Sequence, residues 1–178
     1  MQIELNTTAD DHRIAKLAAA ALGLTLLEAA IPSPLPGVKP GLANIITLVV
    51  LAHFGWRSAA WVTLLRVIAG SLLLGTFLSP TFLLSISGAL ASLAMLAFAQ
   101  TLPTRFFGTV TQSILAAQAH FAGQLAVVYF WLIPHAGVAY LIPIFAAAAL
   151  LFGTINGIAA ATLLARLPST PQPTCVTP

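Results

Sequence analysis

The sequence predicts an all-α membrane protein, a bundle of six transmembrane helices. Three observations carry that expectation. Of 178 residues, 59% are hydrophobic and only 6% are charged, with a mean hydropathy of +0.99; a soluble domain carries about 25% charged residues, so this chain lacks the polar surface to face water. The apolar residues fall into six runs separated by short breaks. The Lys and Arg residues sit mostly at the ends of those runs, as membrane topology requires.

Taken in order, the six runs are residues 14–31, 41–54, 58–78, 81–101, 107–133 and 138–167. A helix crosses a bilayer in about 20 residues. The second run is short for a crossing; the last two are long enough to tilt or to project beyond the hydrocarbon. The connections, 32–40, 55–57, 79–80, 102–106 and 134–137, leave no room for a soluble domain and force antiparallel neighbours. The expected organisation is a polar N-terminal tail (1–13), a six-helix transmembrane domain (14–167) and a Pro/Thr-rich C-terminal tail (168–178) that reads as disordered.

Orientation follows from the cations. Arg13, Lys16, Arg57, Arg105 and Arg166 collect on one side and Lys39 alone on the other. The positive-inside bias then puts both termini in the cytoplasm, with the 34–44 connection facing outward. A cleaved signal peptide competes for the first run, because Arg13 and Lys16 precede an apolar, Ala-rich stretch. The even span count and the charge bias favour keeping it.

The composition also excludes. The seven Lys/Arg form no basic stripe interleaved with aromatics, so nucleic-acid binding is not expected despite the +3 net charge. A single cysteine, Cys175, allows no intrachain disulfide and no thiolate cluster. Its CVTP ending has the spacing of a prenylation box but closes on Pro178, a poor fit. No GxxxxGK[ST] phosphate loop, HExxH or GxSxG stands anywhere in the chain. Diphosphate chemistry commonly needs carboxylates to hold Mg²⁺, and of four acidic residues the only adjacent pair is Asp10–Asp11 near the N-terminus. The chain is therefore expected not to be an enzyme and to carry no metal and no cofactor; binding or passage of a small molecule is the better reading.

Polar residues inside the runs are few enough to weigh singly. The stretch PLPGVKPGLAN (34–44) cannot continue a helix, and it places Lys39 beside membrane. Glu28 is the only acidic residue after Asp11; it is either a ligand or proton contact in a cavity or an interfacial carboxylate paired with Lys39. Arg66 lies eight residues into its run, about 12 Å deep at 1.5 Å per residue, too deep to escape by snorkelling. Structural pairing and substrate contact both fit it. Asn44 begins the second run, where a helix-start hydrogen bond competes with a ligand contact. Gln112, Gln118, His120 and Gln124 form a polar stripe, His120 and Gln124 sharing a face; interhelical hydrogen bonding explains it as well as a cavity lining does. His53 and His135 fall at run ends, and Asn156, between Gly153 and Gly157, reads as packing glue. Ala15, Ala19 and Gly23 recur every four residues as a small-residue stripe.

Four blocks carry a resemblance: LPGVKPGLANI (35–45), LLRVIAGSLL (64–73), SISGALASL (85–93) and AHFAGQL (119–125). In them the chain resembles the Gx transporter family, also labelled heptaprenyl diphosphate synthase component I, from the first run to the sixth. Where related sequences tend to have Leu after the loop Lys, this chain has Pro40. That family is similar to the substrate-binding subunits of energy-coupling-factor vitamin importers. The resemblance implies a six-helix capture subunit that holds a vitamin-like or isoprenoid-related molecule in an outward cavity closed by external loops. It also implies docking, through small residues of the first helix, onto a transmembrane coupling subunit driven by two ATPase subunits. Ala15, Ala19 and Gly23 would be the docking stripe, and Lys39 and Asn44 would lie at the cavity mouth. The expected substrate contacts are Glu28, Lys39, Asn44, Arg66, His120 and Gln124. The alternative is a non-catalytic accessory membrane protein in prenyl diphosphate or quinone biosynthesis.

Overall fold

A computed structural model describes residues 8–30, 41–103 and 107–167. Among them every regular element is helical: α1 (Ala9–Ala30), α2 (Ala43–Leu73), α3 (Pro80–Ala99), α4 (Thr109–Val127) and α5 (Ile142–Arg166). A π-helical turn, Val128–Leu132, continues α4, and a 3₁₀ turn, Ala136–Leu141, leads into α5. Four helical stretches are long and apolar enough to cross a membrane: Ala43–Leu73, Pro80–Ala99, Thr109–Leu132 and Gly137–Arg166. Their outward faces carry Trp61, Leu65, Leu90, Phe98, Leu151 and Ile158, all exposed, a surface fit for lipid and not for water.

The six expected runs thus appear as five α-helices, four of them long and apolar enough to cross a membrane, and two local causes account for these counts. First, runs 41–54 and 58–78 join as α2, which is interrupted by a single residue. Gly55, at φ 79° and ψ 177°, has a backbone conformation essentially reserved for glycine. A straight helix would hold Thr47 and Thr63 about 24 Å apart and Asn44 and Arg66 about 33 Å apart. Instead the Thr47 and Thr63 hydroxyls are 3.1 Å apart, and Arg66 Nη2 donates to Asn44 Oδ1 at 3.1 Å. The helix is therefore folded back at Gly55 into two antiparallel arms, 43–54 and 56–73. Second, α1 is not among the four long apolar helices. Asp10, Asp11, Arg13 and Lys16 at one end and Glu28 at the other confine its apolar stretch to residues 17–27, about 16 Å.

Each helix end has a local reason. Thr8 caps α1: its N–H and hydroxyl both donate to the Asp11 carboxylate at 2.8 Å, and Asp11 N–H donates back to the hydroxyl at 3.3 Å. This moves the start of the helix to Ala9, ahead of the expected 14, and the same bonds hold the Asp11 carboxyl below its ordinary 3.8. α2 closes in a Schellman arrangement, with Gly75 at φ 66°, Thr76 N–H to Ser71 O at 2.8 Å and Gly75 N–H to Leu72 O at 3.2 Å. Ser79 then caps α3, with Pro80 in its first turn.

Packing depends on small residues, because lipid removes the usual hydrophobic advantage of burying one apolar helix against another. α4 lies between α3 and α5, α1 packs on α2, and α2 touches α3 and α5. A Cβ on Gly123 would stand 2.7 Å from Ser87 O and from Ala91 Cβ; one on Gly157 would stand 2.8 Å from Val110 Cα. Trp56 Nε1 donates to Leu93 O at 3.3 Å and Gln118 Nε2 to Ala146 O at 2.9 Å, while Phe121 stacks on Phe145 at 5.4 Å. At one end of the bundle, the Arg13 guanidinium lies over the Phe54 ring at 5.1 Å, so Arg13, Lys16 and Arg57 gather there.

Gly123→Ala should force α3 and α4 apart and lower stability by about 1–3 kcal/mol. Gly23, beside which an added Cβ meets nothing within 4 Å, should tolerate Ala with no loss and up to about 1 kcal/mol of gain. Thermal unfolding of the two detergent-solubilised variants checks the contrast.

Candidate functional site

The first arm of α2 starts inside the bundle and not at its edge. Gly41 O accepts from Asn156 Nδ2 at 3.2 Å. Asn156 is 14 residues from one end of α5 and 10 from the other, so Gly41 and the helix start behind it lie near the middle of the apolar layer. A helix start exposes N–H groups with no partner in the helix, and hydrocarbon offers them none. Glu28 of α1 meets that need: its carboxylate accepts the Leu42 N–H. Asn44 N–H turns back to Gly41 O at 2.8 Å and Ile45 N–H to Leu42 O at 3.0 Å. The carboxylate also stands at the positive end of the arm's dipole, where a negative charge is favoured.

Arg66, only 8% exposed, completes this centre from the second arm. Its Nη2 holds Asn44, and the Glu28 charge acts on it. Its Nε is buried and makes no hydrogen bond among the described residues. His120 of α4 is near enough to feel the Arg66 charge. The His120 ring lies over Gly88 of α3, where a Cβ would come within 2.6 Å of Nε2. Gln124 Nε2 stands 3.1 Å from His120 Nε2, and His120 Nδ1, like Arg66 Nε, is buried without a hydrogen bond.

Of the six expected contacts, Glu28, Asn44 and Arg66 meet around the buried helix start, and His120 and Gln124 form a pair beside them. Lys39 and the rest of the 31–40 connection lie outside the described residues, as does the 168–178 tail. The structure adds Asn156, which reaches the helix start and is more than packing glue, together with the Gly41 and Leu42 backbone and Gly88. The spacing of Asn156 between two glycines was the one signal in the sequence for it; nothing in the chain marked the backbone groups.

The centre is tightly closed. A cavity of about 10 Å³ is bordered by Asn44, Thr47, Ser92, Ser113 and Asn156, room for about one water. A larger groove of about 490 Å³ opens between α4 and the start of α5, lined by Leu125, Tyr129, Phe130, Val138 and Ile142; it is apolar and has no converging polar groups. Among the described residues no group of three His, Cys, Asp or Glu stands close enough to hold a metal. Ala15, Ala19 and Gly23 share an exposed face of α1.

Apolar helices that meet around the buried Glu28–Asn44–Arg66 centre define a membrane-type helical protein. The chain belongs to the family described as heptaprenyl diphosphate synthase component I, whose pattern matches residues 17–163. No curated protein and no solved structure matches it.

Because Glu28 answers a backbone donor, its truncation should be felt more than its neutralisation. Glu28→Ala leaves Leu42 N–H bare and should lower stability by about 1–3 kcal/mol. Glu28→Gln retains an acceptor oxygen and should lose less. Reversible unfolding of both variants in mixed micelles measures the difference; equal losses would argue against the helix-start role.

Proposed function

We propose that this chain is the substrate-capture subunit of an energy-coupling-factor-type importer in a bacterial inner membrane, taking a small vitamin-like or isoprenoid-related molecule. The observation that carries this reading is the polar centre. Glu28, Asn44, Arg66 and His120 come from three helices to meet in the middle of an apolar bundle, where polar side chains are expensive and tend to mark a pathway or a ligand. In this reading Glu28, Asn44, Arg66, His120 and Gln124 contact the substrate. The first arm of α2 stands for the short second span and the second arm for the third, α1 is the first of the six, and both termini are cytoplasmic, on the side of Arg13, Lys16 and Arg57. The exposed Ala15–Ala19–Gly23 face packs on a transmembrane coupling subunit, and two ATPase subunits supply the energy, since the sequence has no phosphate-binding loop.

The family description supports a second reading: a non-catalytic membrane partner in the synthesis of a prenyl diphosphate. The sparse acidic residues agree with a chain that assists and does not itself carry out that chemistry.

Gentle extraction of the tagged protein followed by native mass spectrometry separates the two. Capture predicts a coupling subunit with ATPases, or a retained small molecule. A soluble prenyl synthase bound in their place, with no small molecule, would overturn capture in favour of the second reading.

A further inference from the structure

The polar centre contains two buried nitrogens that make no hydrogen bond among the described residues, Arg66 Nε and His120 Nδ1, although the Gly88 backbone acts on the His120 ring. Their identity as donors follows from their neighbours. Arg66 is a permanent cation, with Nη2 already committed to Asn44 Oδ1. His120 Nε2 faces the carboxamide nitrogen of Gln124 at 3.1 Å. An amide nitrogen only donates, so in this arrangement Nε2 accepts and Nδ1 is the ring nitrogen left to carry the imidazole proton. Glu28 leaves Arg66 Nε without a hydrogen bond, although its charge acts on the guanidinium. A buried donor without an acceptor is unfavourable, and a guanidinium is matched best by a charged oxygen.

We propose that Arg66 and His120 receive an oxyanion, so that the captured molecule has an anionic head, a carboxylate or a phosphate. The inference rests on the capture reading and names the chemistry of its substrate. Arg66 Nε supplies a charge-assisted hydrogen bond and His120 Nδ1 a neutral one, while Asn44 and Gln124 fix the two side chains. Gly88 keeps the imidazole in place, since any side chain there would meet the ring. The adjoining cavity of about 10 Å³ is smaller than a carboxylate, so the head is admitted only as the surrounding helices part.

The test uses the full-length protein in detergent with three probes that share one apolar tail: farnesyl diphosphate, farnesoic acid and the uncharged farnesol. Equilibrium binding to wild type, Arg66→Lys and His120→Ala is compared, with thermal unfolding as a check that each variant is folded. The expected result is that one or both charged probes bind wild type more tightly than farnesol. Each substitution should weaken that binding by about tenfold to a hundredfold and leave farnesol unchanged. Arg66→Lys retains the positive charge but lacks both the Nε donor and the Nη2 anchor to Asn44, so a loss there reports the guanidinium's hydrogen bonds and not its charge. Native mass spectrometry of the untreated protein adds the source of the oxyanion: a retained acidic phospholipid lost in both variants assigns it to a lipid headgroup, and a retained small acid assigns it to a soluble ligand. Farnesol bound as tightly as the charged probes would overturn the anionic head while sparing capture. Charged probes that fail to bind, or that bind both folded variants as they bind wild type, would also overturn it.

Discussion

A helix that begins in the middle of an apolar layer imposes the constraint on which the rest of this structure depends. Its first N–H groups have neither water nor a preceding turn to satisfy them. The Leu42 N–H therefore draws Glu28 from α1, and the Gly41 carbonyl draws Asn156 from α5. A buried carboxylate in turn calls for a cation, and Arg66 lies on the returning arm, anchored to Asn44. One backbone problem thus recruits side chains from α1, both arms of α2 and α5. The result is a charged centre in a protein with only eleven Asp, Glu, Lys and Arg residues.

The same scarcity explains the glycines. With little hydrophobic gain from helix contact in lipid, close approach supplies the cohesion. Gly123 and Gly157 bring α4 against the backbones of its two neighbours. Gly88 serves the centre as well as the packing: it makes the space in which the His120 ring lies across the α3–α4 contact. The exposed small-residue face of α1 contrasts with these, since none of the described residues covers it.

Much of this was legible in the sequence. Hydropathy located the apolar runs, and the depth of Arg66 within its run identified it as interior. The His120–Gln124 spacing placed both on one face, as the structure has them. The break at 55–57 was legible too: the chain turns back at Gly55 into antiparallel arms where runs 41–54 and 58–78 were expected to meet; that a single glycine makes the turn was not, because nothing in the sequence reports a backbone angle. The α1 start was misplaced because Asp10 and Asp11 read as tail, whereas Thr8 and Asp11 form a cap that extends the helix over them. The role of Glu28 was hidden most completely. Its partner is a backbone N–H fourteen residues away, and no side-chain pattern encodes a backbone donor. Sequence offered it a cavity contact or a pairing with Lys39, and Lys39 lies outside the described residues.

The return of the chain at Gly55 is what brings Arg66 to Asn44 and makes the centre possible. It can be measured in membranes by replacing Thr47 and Thr63 with cysteine in a Cys175→Ser background and oxidising mildly. Hydroxyls 3.1 Å apart predict rapid, near-complete formation of an intrachain disulfide, and little with Thr47→Cys and Leu73→Cys, farther along the second arm. A straight α2 would separate positions 47 and 63 by about 24 Å. Failure of the first pair to cross-link under conditions that oxidise a control pair would contradict the account.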